Sequence, residues 1–173
     1  MTKEIEGLDP GESVGWGAYS LDSVFVRTEQ HTVSGVIKRI KAGRYTLNPE
    51  FQRDFVWKLD KQSRLIESCL MRIPLPVFYL AEDDEGCINV VDGLQRLTTL
   101  FRFHSNEFVL TGLGGNGVGY EDPLKGKRFG ELPLNLQERI EDTKLSLHIL
   151  DAKAPKRAKL YISDRANEGY ATQ

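Results

Sequence analysis

Five consecutive residues, Asp92-Gly93-Leu94-Gln95-Arg96, carry the clearest chemical potential in this chain. They follow the β-prone run Cys87-Ile88-Asn89-Val90-Val91 and precede a segment of apolar periodicity. That spacing predicts a strand that turns at glycine straight into a helix. Such a turn aims several backbone N–H groups at one spot, where the positive end of the helix dipole favours a phosphate or carboxylate. Arg96 falls in the first helical turn, where a cation opposes the dipole. A bound anion would remove that conflict, and a guanidinium can hold phosphate bidentately. Asp92 is suited to serve as helix cap, as a base, or as an Mg²⁺ ligand beside a phosphate. The same residues also fit a purely structural role, with Asp92 capping the helix and Arg96 paired to a surface carboxylate.

A second cluster, Asn48-Pro49-Glu50-Phe51-Gln52-Arg53-Asp54-Phe55-Val56-Trp57, sets two Phe, a Trp, an Arg and a Gln in ten residues between two helices. Gln52 and Arg53 are placed to offer donors to a ligand while the aromatics fix the loop. The plainer alternative is that Phe51, Phe55 and Trp57 are core aromatics. Arg165 and Asn167 close the last expected helix, where a cation also simply suits the helix dipole. The letters Gly112-x-Gly114-x-x-Gly117 match a dinucleotide fingerprint, but no helix is expected after them, so they read as a flexible turn. His31, His104 and His148 fall in no metal-ligand spacing, and no nucleophile elbow is present.

The elements that must position these residues follow from periodicity. Ser23–Arg27 reads as a first strand. Thr32 caps a helix whose Val33, Val36, Ile37 and Ile40 share one face, and Gly43 supplies its left-handed end. Tyr45–Pro49 is extended because a proline follows Asn48. A second helix runs from Asp60 to about Arg72 with Leu65, Ile66, Cys69, Leu70 and Ile73 inward. Val77–Ala81 and Cys87–Val91 are strands. Leu94–His104 is a helix with Leu97, Leu100 and Phe101 inward. Glu107–Thr111 is a further candidate strand, Leu136–Asp142 a helix, Leu145–Leu150 a strand, and Pro155 to about Asn167 a final helix with proline in its first turn. Strands and helices intermix, so the fold class is α+β or mixed α/β.

The whole comes to 173 residues, which suits one domain against a prior of about 150 residues. Residues 1–20 read as a loosely held lead-in. The net charge of −2 excludes a strongly basic protein that coats nucleic acid by bulk attraction, but not a local basic groove. The apolar runs are too short for a bilayer span, and Met1–Asp9 does not resemble a signal peptide. Cys69 and Cys87 are too few for a disulfide framework. The expectation is a soluble protein of a reducing, cytoplasmic compartment.

In order along the chain stand Leu47-Asn48-Pro49-Glu50-Phe51-Gln52-Arg53-Asp54-Phe55-Val56-Trp57, Leu65-Ile66-Glu67-Ser68, Ile73-Pro74-Leu75-Pro76, Val90 through Leu100, and Asp164-Arg165-Ala166-Asn167-Glu168-Gly169. With these motifs the sequence resembles the N-terminal domain of GmrSD-type restriction endonucleases, over roughly residues 20–170. The resemblance implies an α+β, ParB/sulfiredoxin-like mixed sheet flanked by helices. It implies a nucleotide or phosphate site at Asp92, Gly93, Gln95 and Arg96, joined by Gln52, Arg53, Arg165 and Asn167. It also implies an NTP with Mg²⁺ as cofactor, Asp92 as the metal's ligand, Asp92, Gln95 and Arg96 as catalytic residues, and DNA as the eventual target.

Three departures stand out. Leu94 replaces a usual Gln. Ser163, Ala166 and Tyr170 depart from the last motif. Full-length relatives continue into helical and HNH-type nuclease segments beyond the point matching Gln173. DNA cleavage is therefore expected to need a nuclease domain or partner protein. The alternative is a non-catalytic module, such as a stand-alone phage version, that docks on DNA or a partner. Leu94 also stands near the place of the sulfiredoxin cysteine, so peroxiredoxin repair is not expected.

Overall fold

The computed structural model describes residues 25–47, 56–112 and 122–154. The expected lead-in, the core of the Gln52-Arg53 cluster, most of the glycine-rich stretch and the final helix with Arg165 and Asn167 lie outside these residues. Among the described residues one mixed five-stranded sheet and four helices form, in agreement with the α+β expectation. The strands are β1 (Val26–Thr32), β2 (Tyr45–Thr46), β3 (Phe78–Glu82), β4 (Ile88–Asp92) and β5 (Lys144–Leu150), in the order β1-β5-β3-β4-β2. β1 and β5 are antiparallel, β5 and β3 parallel, β3 and β4 antiparallel, and β4 and β2 parallel.

Period-two alternation builds the sheet's inner face. Leu145, Leu147 and Ile149 of β5, Phe78 and Leu80 of β3, and Ile88 and Val90 of β4 are buried in one cluster. The helices α1 (Val33–Lys41), α2 (Leu59–Leu70), α3 (Leu94–His104) and α4 (Leu134–Glu141) add Val36, Ile66, Leu97 and Ile140 to the same cluster. All four therefore sit over one face of the sheet. A small second cluster on the other face joins Ala81, Leu150 and Ala154. Among the described residues no helix is long and apolar enough to cross a membrane.

The first three helices end alike. In each, the backbone N–H of the first residue past the cap returns to the carbonyl of the helix's second-last residue, and the next N–H to that of the third-last. After α1 these are Gly43 to Ile40 and Arg44 to Arg39; after α2, Arg72 to Cys69 and Ile73 to Ser68; after α3, Asn106 to Phe103 and Glu107 to Arg102. This pairing needs a left-handed residue. Gly43 supplies it at φ +72° as expected, while Arg72 (φ +58°) and Asn106 (φ +60°) do so against the Cβ penalty.

That turn corrects one core expectation, because Arg72 swings the chain away and leaves Ile73 exposed. Three further expectations change. The first strand, Val26–Thr32, runs past its expected end at Arg27 (Ser23 lies outside the described residues), and Thr32 caps α1 by accepting from the Gly35 N–H at 3.1 Å. In α3, Phe103 takes the deep position and Phe101 only packs at the core's edge. Glu107–Thr111 joins no sheet. Its polar groups are met piecemeal instead, with the Leu110 N–H donating to Lys127 O and the Thr111 N–H to Ser63 Oγ.

A non-glycine residue in the left-handed region costs about 1–2 kcal/mol. Arg72→Gly is therefore expected to raise stability by about 1 kcal/mol, after allowance for the looser unfolded chain. The check is urea denaturation, with a higher midpoint and an unchanged slope.

Candidate functional site

Strand β4 ends at Asp92, Gly93 turns the chain at φ +95°, and α3 begins at Leu94. The strand–glycine–helix geometry read from the sequence is thus present. Gly93 is required twice over: its φ lies in the left-handed region, and a Cβ on it would collide with the Phe78 ring. Gly93 itself is the N-cap of α3. Asp92 is not the capping residue, no side chain caps this helix start, and no acidic residue lies in its first turn.

Arg96 points inward and is only 6% exposed. Its Nη1 donates to Pro76 O, and its Nη2 donates to Val77 O at 3.2 Å and to Asp92 Oδ2 at 3.0 Å. The guanidinium also lies 4.3 Å from the centre of the Phe78 ring, a cation–π contact. The cation in the first turn of α3 therefore meets its counter-charge within the fold, from Asp92 and two carbonyl oxygens. Arg96 ties the entry to β3, the exit from β4 and the start of α3 to a single planar group.

Asp92 feels opposing influences. Burial pushes its carboxyl above the ordinary aspartate value of 3.8, while the Arg96 charge, the Gly93 N–H and the Arg96 hydrogen bond pull it down; burial prevails. The result is a carboxyl that keeps its proton longer than a surface aspartate, at the mouth of a helix without a side-chain cap.

Gln95 bridges to the second motif. Its Oε1 accepts from the Val56 N–H at 3.0 Å and the Trp57 N–H at 3.3 Å. The Trp57 carbonyl in turn accepts from Gln62 Nε2 of α2 at 2.9 Å. Two carboxamides, one from each helix, hold the Trp57 peptide at both ends. Val56 and Trp57, the described end of the aromatic segment, are thereby fixed beside the α3 turn. Gln52, Arg53, Arg165 and Asn167 fall outside the described residues. Gln62 was not singled out from the sequence; its signal is a polar Gln62-Ser63 pair one residue ahead of the apolar Leu65-Ile66.

Other chemistry is sparse. Among the described residues no three His, Cys, Asp or Glu side chains gather as a metal site. Cys69 and Cys87 are both free thiols, and burial pushes the Cys69 thiol up to about 11. Cys69 therefore stays protonated near neutral pH.

The ordered motifs agree with a comparison against protein families. Residues 33–172 match the GmrSD restriction endonuclease, N-terminal domain. The chain belongs to the GmrSD N-terminal domain family. That membership relates it to restriction and phage defence. No curated protein and no solved structure matches it.

Two outcomes test this GmrSD-family turn. Gly93→Ala adds ring displacement to left-handed strain and is expected to cost about 2–5 kcal/mol. Gly86→Ala, at φ +81° with open space around it, is expected to cost about 1–2 kcal/mol. Equal losses in thermal melts would remove the Phe78 contact from the account. Asp92 is expected to titrate above 3.8 when its carboxyl carbon is followed by NMR. The native state then holds this proton more tightly than the unfolded chain. Its stabilising contribution is full below the ordinary value and lost as pH rises through the native midpoint.

Proposed function

We propose that the chain is the nucleotide-binding part of a restriction or phage-defence system, with the start of α3 receiving a phosphate group of an NTP. The observation that carries this reading is the combination at one point of an α3 start lacking a side-chain cap and a half-buried Asp92 with a raised pKa. Backbone N–H groups at a helix start attract anions, and the dipole adds roughly half a unit of positive charge. A fully ionised, unpaired carboxylate there would repel a phosphate. Asp92 avoids this because the Arg96 guanidinium, 3.0 Å away, balances its charge.

In this reading Arg96 and Gln95 are positioning residues. Arg96 sets the charge and place of Asp92, and Gln95 holds the 56–57 segment against the turn. Arg53 and Gln52, just upstream of that segment, would supply donors to the outer phosphates, with Arg165 and Asn167 as further phosphate ligands. Asp92 brings a single carboxylate with one oxygen in the Arg96 pair. That suits an Mg²⁺ ion carried in on the phosphate chain rather than a resident metal. DNA would be met through the nucleotide-bound form, together with a nuclease domain or partner protein.

A second reading, binding without hydrolysis, draws on the same geometry. Arg96 is committed to the fold and the Gln95 oxygen to the Val56–Trp57 backbone, which leaves Asp92 as the one described group in the turn suited to activating a water.

Fluorescent NTP analogues titrated with Mg²⁺ are expected to bind the wild type. Arg53→Ala and Asp92→Asn, checked for intact fold by circular dichroism, should each weaken binding about tenfold or more, as for loss of a charged hydrogen bond. Failure of every nucleotide to bind the wild type ends the proposal. Phosphate release measured in a single turnover separates hydrolysis from binding alone.

A further inference from the structure

Away from the α3 turn, an open hollow of about 590 Å³ is lined by Trp57, Lys58, Gln62, Arg102, Glu107 and Arg128, with neighbouring apolar residues. Three cations stand against one carboxylate, and that carboxylate is already paired, with Arg102 Nε 3.0 Å from Glu107 Oε2. A fourth cation lies on the indole itself, with Lys61 Nζ 4.5 Å from the Trp57 ring centre. The surroundings therefore favour an anion with an aromatic part.

A second observation concerns Gln62, which is only 3% exposed. Its Nε2 donates to Trp57 O, which fixes the orientation of the amide. Its Oε1 is buried and has no hydrogen-bond partner among the described residues. Leaving an acceptor so costs about 1–3 kcal/mol. A ligand with negative charge, a flat ring and an N–H donor together suits this hollow best, since Gln62 is among the residues that line it. An inorganic anion lacks the ring, and an aliphatic acidic peptide lacks it as well. A nucleotide unit has all three: phosphates for the cations, a π-face for the indole, and a ring or amino N–H for Gln62.

We propose that this hollow binds a nucleotide unit of a single nucleic-acid strand. Lys58, Arg102 and Arg128 come from three separate segments around an open hollow rather than an enclosed one. That arrangement suits a backbone running through the site more than a mononucleotide ending in it. Lys58 and Arg128 contact successive phosphates, and the base lies against Trp57 with its N–H turned toward Gln62. The inference stands apart from the reading of the α3 turn, since none of its lining residues belongs to that turn.

The chain has two tryptophans, so in a Trp16→Phe background the emission of Trp57 reports on the hollow. An oligothymidylate of about a dozen nucleotides is expected to quench it, in a salt-dependent way. Lys58→Gln combined with Arg128→Gln alters two exposed residues. This double variant should weaken strand binding about tenfold and lower the slope of log K against log salt by about 1.4, at 0.7 per phosphate contact. Absence of quenching in the wild type, or unchanged affinity and slope in the double variant, overturns the proposal. A triphosphate that quenches Trp57 as tightly as the strand, and loses this in the double variant, overturns the strand assignment in favour of a mononucleotide. Triphosphate binding lost in Asp92→Asn but kept in the double variant belongs to the α3 turn and leaves the strand proposal standing.

Discussion

The buried guanidinium of Arg96 is the constraint on which the rest of the site depends. Taking a cation out of water costs several kcal/mol, and it is tolerated only where geometry and hydrogen bonding compensate. Here Pro76 O, Val77 O and Asp92 Oδ2 accept from its two terminal nitrogens, and Phe78 covers its face. Lysine could not substitute, because a point charge on a flexible stem cannot meet acceptors on the 76–77 segment and on β4 while stacking flat on a ring. The closeness of Gly93 to Phe78 follows from the same arrangement, since the ring that covers Arg96 also fills the space where a Cβ would stand.

This arrangement marks what could be read beforehand. The helix starts and ends around Thr32, Gly43 and Gly93, the stripes of α1 and α2, and strands β3 and β4 are local matters of spacing and backbone conformation, and they were legible. The destination of Arg96 was not. Its carbonyl acceptors lie 19 and 20 residues earlier in the chain, and nothing in the spacing separates a guanidinium that pairs inward from one that faces solvent. Phe101 and Phe103 pose the same difficulty. Both lie close to the apolar arc of α3, and the neighbouring Phe108 and Phe129, with ring centres 5.1 and 6.0 Å from Phe103, decide which goes deep.

The 107–111 segment failed as a strand for a related reason. Its composition suits an extended chain, yet it pairs with neither edge strand of the sheet, and the Ser63 hydroxyl and the 126–127 backbone meet its polar groups instead. The sequence shows that a run can be extended; it does not show which distant groups will meet its N–H and C=O.

The Trp57 peptide is where the two halves of the site meet. Its N–H is held from α3 by Gln95, its carbonyl from α2 by Gln62, and its indole lines the hollow. A shift of α3 that alters the turn at Asp92 must either stretch the Gln95 contact or carry the Trp57 peptide with it. In the second case the strain passes to Gln62, whose other amide atom already lacks a partner among the described residues. Packed elements joined through such short hydrogen bonds move together or break the bonds. Trp57 thus joins the turn and the hollow by one backbone hydrogen bond to each helix, even though the two share no lining residue.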